Sequence, residues 1–569
     1  MKIYVHILLV AIIFIFNNHN TKAQINEKGF PNSFNFISNK KIKNLQAIIM
    51  PAIDINVLNS EDSIQNNSTG AKPFRFAKGT IVNFALDNSG VWDTLSTGDR
   101  IWRLKIKSPG AYSINILFSE YEIPDGAKVF IYNTDTTKII GAFTSKNNSA
   151  SKLLATQPVW GDEIIVEYFE PVNWINQSTL TIGIIGHDYK GIFRNQKIQK
   201  GISGSLSCEV DINCSDGNNL QTEKGSVAKI TYLIGSDTYL CTGSLINNTK
   251  QDGTPYFLTA NHCICNQASA ATVIVYFNFE RPLCSSGIGS DSQTISGATL
   301  KANWAGSDFS LLQLSSIPLQ YLKPYFLGWN RSSTNPFEPA YCIHHPQGDV
   351  KKISSTNGSI TAMSINSYSS SASCDVNINK DVWYVTQWTT GTTEGGSSGA
   401  SLLDNNHEIV GQLYSGNLVA ICNGTSTFGR FSTSWNGNNT PETQLKFWLD
   451  PTNSGVITLT GNFSTITSGL NKVYSTRGNG CEITYTVSPN PANNKVKITP
   501  TIPAPCNMFT SLNNGFILVY DCLGSLKKKM RYKVGDITEI DVSDLSTGVY
   551  QINICDGAKT TTKSIIVQR

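Results

Sequence analysis

Apolar and polar positions alternate with period two over most of this chain, and that period predicts strands with one buried face. In RIWRLKIK, Trp102, Leu104 and Ile106 alternate with Arg103, Lys105 and Lys107; in AYSINILF, Tyr112, Ile114, Ile116 and Phe118 alternate with small or polar residues. Turn signals at Pro109-Gly110 and Pro124-Asp125-Gly126, then VFIYN and DEIIVEY, make residues of about 70–190 a β-sandwich. Upstream, residues 24–69 are Asn-rich and show no sustained period. Beyond a polar, basic stretch from Lys190 to Lys200, read as a processing site, the strand pattern returns in KITYLI, YLCTGSLI, YFLTA, ATVIVYFNF, DFSLLQL, VWYVTQW and EIVGQLY. Gly, Ser and Asn loops separate these runs, as an antiparallel all-β domain requires. A single helix is expected to close the set, with Thr440 as N-cap, Pro441 at the first helical position, and Leu445, Trp448 and Leu449 recurring before Pro451. Residues 453–480 have the Thr, Ser, Gly and Asn content of a linker. A last β module spans 481–569; its basic segment LKKKMRYK is expected to be a strand edge guarded by lysines rather than a binding site for an acidic partner.

Composition narrows the setting. The chain has 569 residues, long enough for three or four domains, and a net charge of +4 with 15% charged residues, so nothing indicates a nucleic-acid partner. Lys2, an apolar run from Ile3 to Phe16 and the polar segment ending at Ala23 form the pattern of a secretory signal, residues 1–23. That run is too short for a membrane-spanning helix, and no later stretch reaches the length of about 20 apolar residues that spanning needs. Thirteen cysteines in an exported chain indicate disulfides. Cys263 and Cys265 lack a second close pair, which argues against structural zinc, and no metal or cofactor is expected.

The candidate chemistry is nucleophilic. TEGGSSGASL places Ser398 between Gly396 and Gly399, PYFLTANHC supplies His262, and SDFSLLQL supplies Asp308. Singly, these fit a small-residue loop, a core histidine and a turn residue. Together, in the order His, Asp, Ser, they match one of the known hydrolytic triads. Serine needs a base within reach to lose its proton, the imidazolium that results needs a carboxylate, and the amides of Gly396 and Ser398 could face a developing oxyanion.

GISGSLSC, CTGSLINN, PYFLTANHC, SDFSLLQL, CIHHPQGDVKKIS, TTEGGSSGASL, VGQLYSG and FGRFSTSW followed by WLDP resemble the bacterial lysyl endopeptidases, a branch of the chymotrypsin-like serine proteases. The resemblance implies a mainly β chain with a chymotrypsin-like double β-barrel over residues 201–452, His262 and Asp308 coming from the first barrel and Ser398 from the second. It also implies disulfides Cys208 to Cys422, Cys214 to Cys284 and Cys241 to Cys263. Cys342 with Cys374 is a separate expectation, and it leaves Cys265 unpaired. IWRLKIKSPGAYSINILF and IPDGAKVFIYN resemble the propeptide of the same enzymes. Residues 24–200 are then a β-sandwich prodomain with its maturation junction at Lys200 and Gly201. SPNPANN, DVSDLSTGVYQINI and TKSIIVQR resemble the type A sorting domain of the type IX secretion system, a small β-sandwich recognised by outer-membrane secretion machinery.

The chain departs from that family at the specificity pocket, for which Thr393, Tyr414, Gly416 and Ser426 are the candidates. ICNGTSTFGR holds no Asp or Glu where the family has an aspartate, Ser426 or a neighbour standing in its place, and Tyr414 replaces a histidine. A buried lysine ammonium without a counter-charge is costly, so lysine selection is left open. Glu394 is expected to be structural. His344 and His345 point to opposite faces of a strand and are expected to pack rather than chelate. The expectation is therefore a secreted or cell-surface serine endopeptidase acting on protein or peptide substrates; the alternative is a catalytically silent surface-binding β protein on the same fold.

Overall fold

The structure is a computed structural model that describes residues 29–36, 45–67, 71–192, 204–318, 324–336, 338–368, 377–417, 419–463, 484–501, 514–521, 526–533, 536–555 and 560–568. The chain divides into two compact units, Met1–Ser464 and Thr465–Arg569. Much of the expected linker therefore lies outside the described residues. Its first part does not behave as a linker: Thr458–Leu459 and Asn462–Phe463 pair with Trp329–Asn330 and Tyr325–Phe326.

The first unit opens with a sandwich. One sheet runs Ala47–Ile49, Arg100–Lys107, Glu163–Glu170, Lys128–Asn133, Ile139–Phe143; the facing strands are Phe74–Ala85, Thr179–Asp188 and Ser113–Glu122. Trp102, Leu104 and Ile106 meet Ile114, Ile116 and Phe118 between them, as the alternation predicts. Tyr112 precedes its strand and is 36% exposed. The N-terminal segment is less irregular than its composition indicates. Ile55–Asn67 is a helix, and Ser33 covers the outer face, its N–H donating to buried Glu167 Oε1 at 2.9 Å.

The sandwich does not stop at its own border. Strand Phe74–Ala85 also pairs antiparallel with Asp237–Leu245, in register Thr238↔Ala77, Tyr239↔Arg75 and Leu240↔Phe74. Phe76, Ala77 and Leu117 then share one apolar cluster with Leu233, Leu240, Tyr276 and Phe279. Arg75, 6% exposed, donates to Asp237 Oδ2 at 3.3 Å, and Lys138 reaches both oxygens of Asp291 at 2.7 Å.

After residue 204 two sheets curl around separate cores. The first joins Thr294–Ser296, Ile274–Phe277, Val227–Ile234, Asp237–Leu245, Tyr256–Ala260, Phe309–Leu314 and Ala298–Trp304 around Ile230, Phe257 and Leu312. The second runs Val210–Asp211, Lys352–Thr356, Ala340–His344, Ser401–Leu403, Ile409–Gly416, Ser426–Arg430, Asn377–Val385, Ile360–Tyr368 around Trp383, Leu402 and Phe428. This is the mainly β, double-barrel architecture expected. The single closing helix is corrected: Phe431–Asn436 and Gln267–Ala271 are also helical, and the expected one is the short Lys446–Leu449 with Leu445 at its N-cap. Thr440 instead closes a turn, its carbonyl accepting the Thr443 N–H at 3.0 Å.

Three disulfides join Cys208 to Cys422, Cys214 to Cys284 and Cys241 to Cys263. Two further cysteine expectations are corrected. Cys265 is disulfide-bonded, to a partner outside the described residues, and Cys342 is a buried free thiol.

The second unit is itself two small sheets, Thr484–Ser488/Lys495–Thr501/Thr538–Asp541 and Leu526–Lys533/Asn514–Asp521/Gly548–Cys555/Thr560–Val567, closed on Val496, Val519, Ile552 and Ile565. LKKKMRYK forms the outermost strand of the latter. Lysines there repel a second chain from the open edge.

Candidate active site

Asp308 ends a tight loop between Ala298–Trp304 and Phe309–Leu314 and adopts φ +58°, a left-handed conformation that costs a non-glycine residue about 1 kcal/mol or more. Neighbours hold it there. Its carbonyl accepts the Asn261 N–H at 2.8 Å, and the second barrel braces the residues before it. Gln412 Nε2 donates to Ser307 O at 2.6 Å, Ser434 Oγ to Ser307 Oγ at 2.9 Å, Asp381 N–H to Gly306 O at 3.2 Å and Lys380 Nζ to Ala305 O at 2.5 Å. Approach is so close that a Cβ on Gly429 would stand 1.7 Å from Ser307 O.

His262 lies just past strand Tyr256–Ala260, whose register with the Asp308 strand sets Ala260 opposite Phe309. One Asp308 oxygen accepts the His262 backbone N–H at 2.9 Å and the other lies 2.7 Å from Nδ1. Both side chains are almost wholly buried, at 0% and 1% exposure. The carboxylate fixes the proton on Nδ1 and leaves Nε2 as the acceptor. Cys241, His262 and Cys263 group within 4.8 Å, but the two sulfurs are joined in a disulfide and offer no thiolate to an ion.

Ser398 sits in a loop whose shape depends on glycine, with φ +92° at Gly396 and +84° at Gly399. A Cβ on Gly399 would stand 2.3 Å from Thr259 Oγ1 and 2.4 Å from Thr242 O. Thr242 fastens the loop twice, its N–H to Ser398 O at 2.8 Å and its Oγ1 to Gly396 O at 2.9 Å. Because Thr242 follows Cys241 and Cys241 is bonded to Cys263, the Ser398 loop and His262 are tied to one short stretch of strand. The N–H groups of Ser397, Gly399 and Ala400 are used in backbone bonds. Those of Gly396 and Ser398 make none among the described residues. Ser398 is 8% exposed, and no hydrogen bond joins its Oγ to His262 Nε2 among the described residues; the sulfur of Cys263 lies 3.7 Å from that nitrogen.

The pocket candidates form a neutral network. Thr393 Oγ1 and Ser426 Oγ are 2.7 Å apart, and Trp388 Nε1 donates to Ser426 Oγ at 2.8 Å. Gly416 lies over Thr393, where a Cβ would stand 2.8 Å from Oγ1. Tyr414 turns its ring edge to His262, with centroids 5.9 Å apart and planes at 83°. Glu394 is engaged elsewhere: Oε1 accepts the Leu206 N–H at 2.8 Å, and burial raises its carboxyl above the usual range against the hydrogen bonds to Leu206, Glu209 and Gln347. His344 bonds Ser397 Oγ through Nδ1 at 2.7 Å and Ser354 Oγ through Nε2 at 3.0 Å, and burial holds it neutral with its pKa down at about 3. His345 binds Asp349 O at 3.0 Å, so the two histidines do not face one ion. Lys200 and Gly201 lie outside the described residues. Thr242, in CTGSLINN, Trp388, in VWYVTQW, and Lys380 shape the site without a catalytic signature of their own; only an inward-facing lysine in the strand NINKDVWYV marks the last.

The sandwich reaches this site. Ala71 N–H donates to the Tyr414 hydroxyl at 3.4 Å, and a Cβ on Gly395 would stand 2.9 Å from the Phe74 ring.

Residues 202–430 match the family described as the lysyl endopeptidase C-terminal domain, and residues 486–568 match the secretion system C-terminal sorting domain. The lysyl endopeptidase of Pseudomonas aeruginosa is 26% identical over 347 residues, 57% of this chain and 71% of that one. Among solved structures, the Rv3671c protease of M. tuberculosis in its active form is 17% identical and covers 38% of this chain and 82% of its own, with a TM-score of 0.28. A Glu endopeptidase is 16% identical and covers 40% and 90%, with a TM-score of 0.24. The sorting domain makes this a secreted or cell-surface protein, and no helix among the described residues is long and apolar enough to cross a membrane. The chain is a serine endopeptidase whose residues 202–430 are similar to the lysyl endopeptidase C-terminal domain and which carries a secretion system C-terminal sorting domain.

Proposed function

We propose that this serine endopeptidase cleaves peptide bonds through Ser398 as nucleophile, His262 as general base and Asp308 as the carboxylate that orients and balances it. The observation that carries this reading is the two-point grip of Asp308 on His262, one oxygen on the backbone N–H and one on Nδ1, within a loop held at positive φ. His262 Nε2 takes the Ser398 proton as Oγ attacks the scissile carbonyl, then returns it to the leaving amine. The unused amides of Gly396 and Ser398 receive the oxyanion, each such donor contributing on the order of 3 kcal/mol in the transition state. Water then releases the acyl group. A fluorophosphonate probe should label the matured protein and fail on Ser398→Ala; labelling that survives the substitution would refute the assignment.

The primary pocket takes an uncharged side chain in preference to lysine. Its floor is the neutral Thr393, Ser426 and Trp388 set, residues 416–430 hold no acid, and Glu394 is engaged with Leu206. A lysine ammonium would be desolvated there without a counter-charge. A peptide library cleaved strictly after lysine would overturn this. Residues 24–200 act as a prodomain removed at the Lys200–Gly201 bond, and the C-terminal domain is the address read by the outer-membrane secretion machinery. Amino-terminal sequencing of the secreted protein tests the junction.

A further inference from the structure

Lys380 belongs to strand Asn377–Val385 of the second barrel, yet it addresses the first. The residue is 1% exposed, its Nζ donates to Ala305 O at 2.5 Å, and Nζ lies 5.4 Å from the centroid of the Tyr414 ring, whose edge meets His262. A buried ammonium costs free energy unless it is paired, and the hydrogen bond to the Ala305 carbonyl offsets part of that cost. Burial lowers its pKa, while Asp308 acts on it through space and pulls it back up. The cation therefore answers to the same carboxylate that grips His262.

We propose that Lys380 is a positioning residue for peptide hydrolysis: it fastens the Asp308 loop to the second barrel, and its charge, beside the ring that meets His262, shapes the acidic limb of the pH–rate profile. This rests on the triad reading above. A positive charge close to the pair favours the carboxylate and disfavours the imidazolium. Among the described residues, the other groups facing the pair do not change charge near neutrality. Tyr414 presents a ring, Tyr232 is held neutral by burial with its hydroxyl 3.3 Å from Cys241 Sγ, and Cys241 and Cys263 are joined. Asp381 adjoins Lys380 in sequence but bonds Ser364 Oγ at 2.7 Å and Thr433 Oγ1 at 3.3 Å.

The test is the pH dependence of kcat/KM of the matured protein on a fluorogenic peptide, compared with Lys380→Gln and Lys380→Arg. Gln keeps a donor for Ala305 O without the charge, and Arg keeps both. For Lys380→Gln, the acidic limb should move up by about 0.5 to 1 pH unit, the size of one unit charge acting through a partly screened interior. Activity at about pH 5.5 then falls threefold or more relative to the alkaline plateau, and the Arg limb stays close to wild type. An unmoved Gln limb, or equal shifts for Gln and Arg, overturns the proposal. If Lys380→Gln does not fold, Lys380→Met takes its place, and failure of both to fold assigns Lys380 to stability alone and also overturns it. Peptidase activity that persists in Ser398→Ala would sink the triad reading instead, which keeps the two failures apart.

Discussion

The Tyr414 hydroxyl accepts the backbone N–H of Ala71 at 3.4 Å across 343 residues of sequence, while the ring of the same tyrosine stands edge-on to His262. One side chain thus touches both the expected catalytic base and the N-terminal sandwich. Phe74, three residues on, lies against Gly395 at the start of the loop that carries Ser398.

The first prediction follows from that contact. Ala71 and Phe74 meet Tyr414 and the loop that carries the proposed nucleophile, so the intact chain should react with a fluorophosphonate at least tenfold more slowly than protein cleaved at Lys200–Gly201 and freed of residues 24–200. Equal labelling rates would show that the contact does not limit access.

Asp308→Asn should leave the fold unchanged and lower kcat by about 10⁴-fold, because an amide on Nδ1 stabilises the wrong tautomer and no longer balances the imidazolium. Circular dichroism checks the fold and steady-state kinetics the loss.

Ser426→Asp should place a carboxylate at the pocket floor and raise the preference for lysine over leucine before the cut by about tenfold or more. Stability should fall as well, since the new charge is buried until substrate pairs with it. Cleavage of paired fluorogenic peptides reads the first effect and thermal unfolding the second.

Asp188, in the sandwich, has its carboxyl pushed up to about 6 by burial, against the hydrogen bonds from Ser113 Oγ and the N–H groups of Lys190 and Gly191. The folded state binds this proton more tightly than the unfolded chain, so the stabilisation is full below about pH 4 and is lost as pH rises through about 6, on the order of 3 kcal/mol in all. Asp188→Asn keeps the acceptor and can donate to Ser113 without a charge. Thermal unfolding of the intact chain from about pH 4 to 8 should show the variant losing less stability than wild type over that range.

The Cys241–Cys263 bond closes 22 residues and joins the strand that fastens Ser398 to the residue after His262. Replacing both cysteines with serine should cost about 3 kcal/mol by the loop-closure relation and lower kcat together with the melting temperature. A melting temperature unchanged within error would show that packing alone holds this strand.

Much of the candidate site is legible in the sequence because the chemistry proposed for it is local in sequence. Ser398, His262 and Asp308 each stand in a short run whose residue types announce a turn or a strand end, and the missing acid near Ser426 is an absence visible in one loop. Period-two alternation marked Trp102, Leu104 and Ile106 because a sheet face repeats every two residues whatever lies opposite. The helix Ile55–Asn67 leaves no such mark for the converse reason: its polar sequence has no apolar stripe for a period to reveal. The closing helix begins at Lys446 and not near Thr440 because Thr440 and Pro441 are equally good turn residues.

The sequence by itself determined the residue types of the proposed triad, the lack of an acid in the loop around Ser426 and the strand-rich character of each region. Tertiary structure alone decided that Phe74–Ala85 joins Asp237–Leu245, that Ala71 reaches Tyr414, that Cys265 rather than Cys342 is bonded, and that Lys380 meets Ala305. Each of these relations depends on which surfaces fold against one another across long stretches of chain, and a backbone hydrogen bond or a buried cation leaves no local pattern to name its partner.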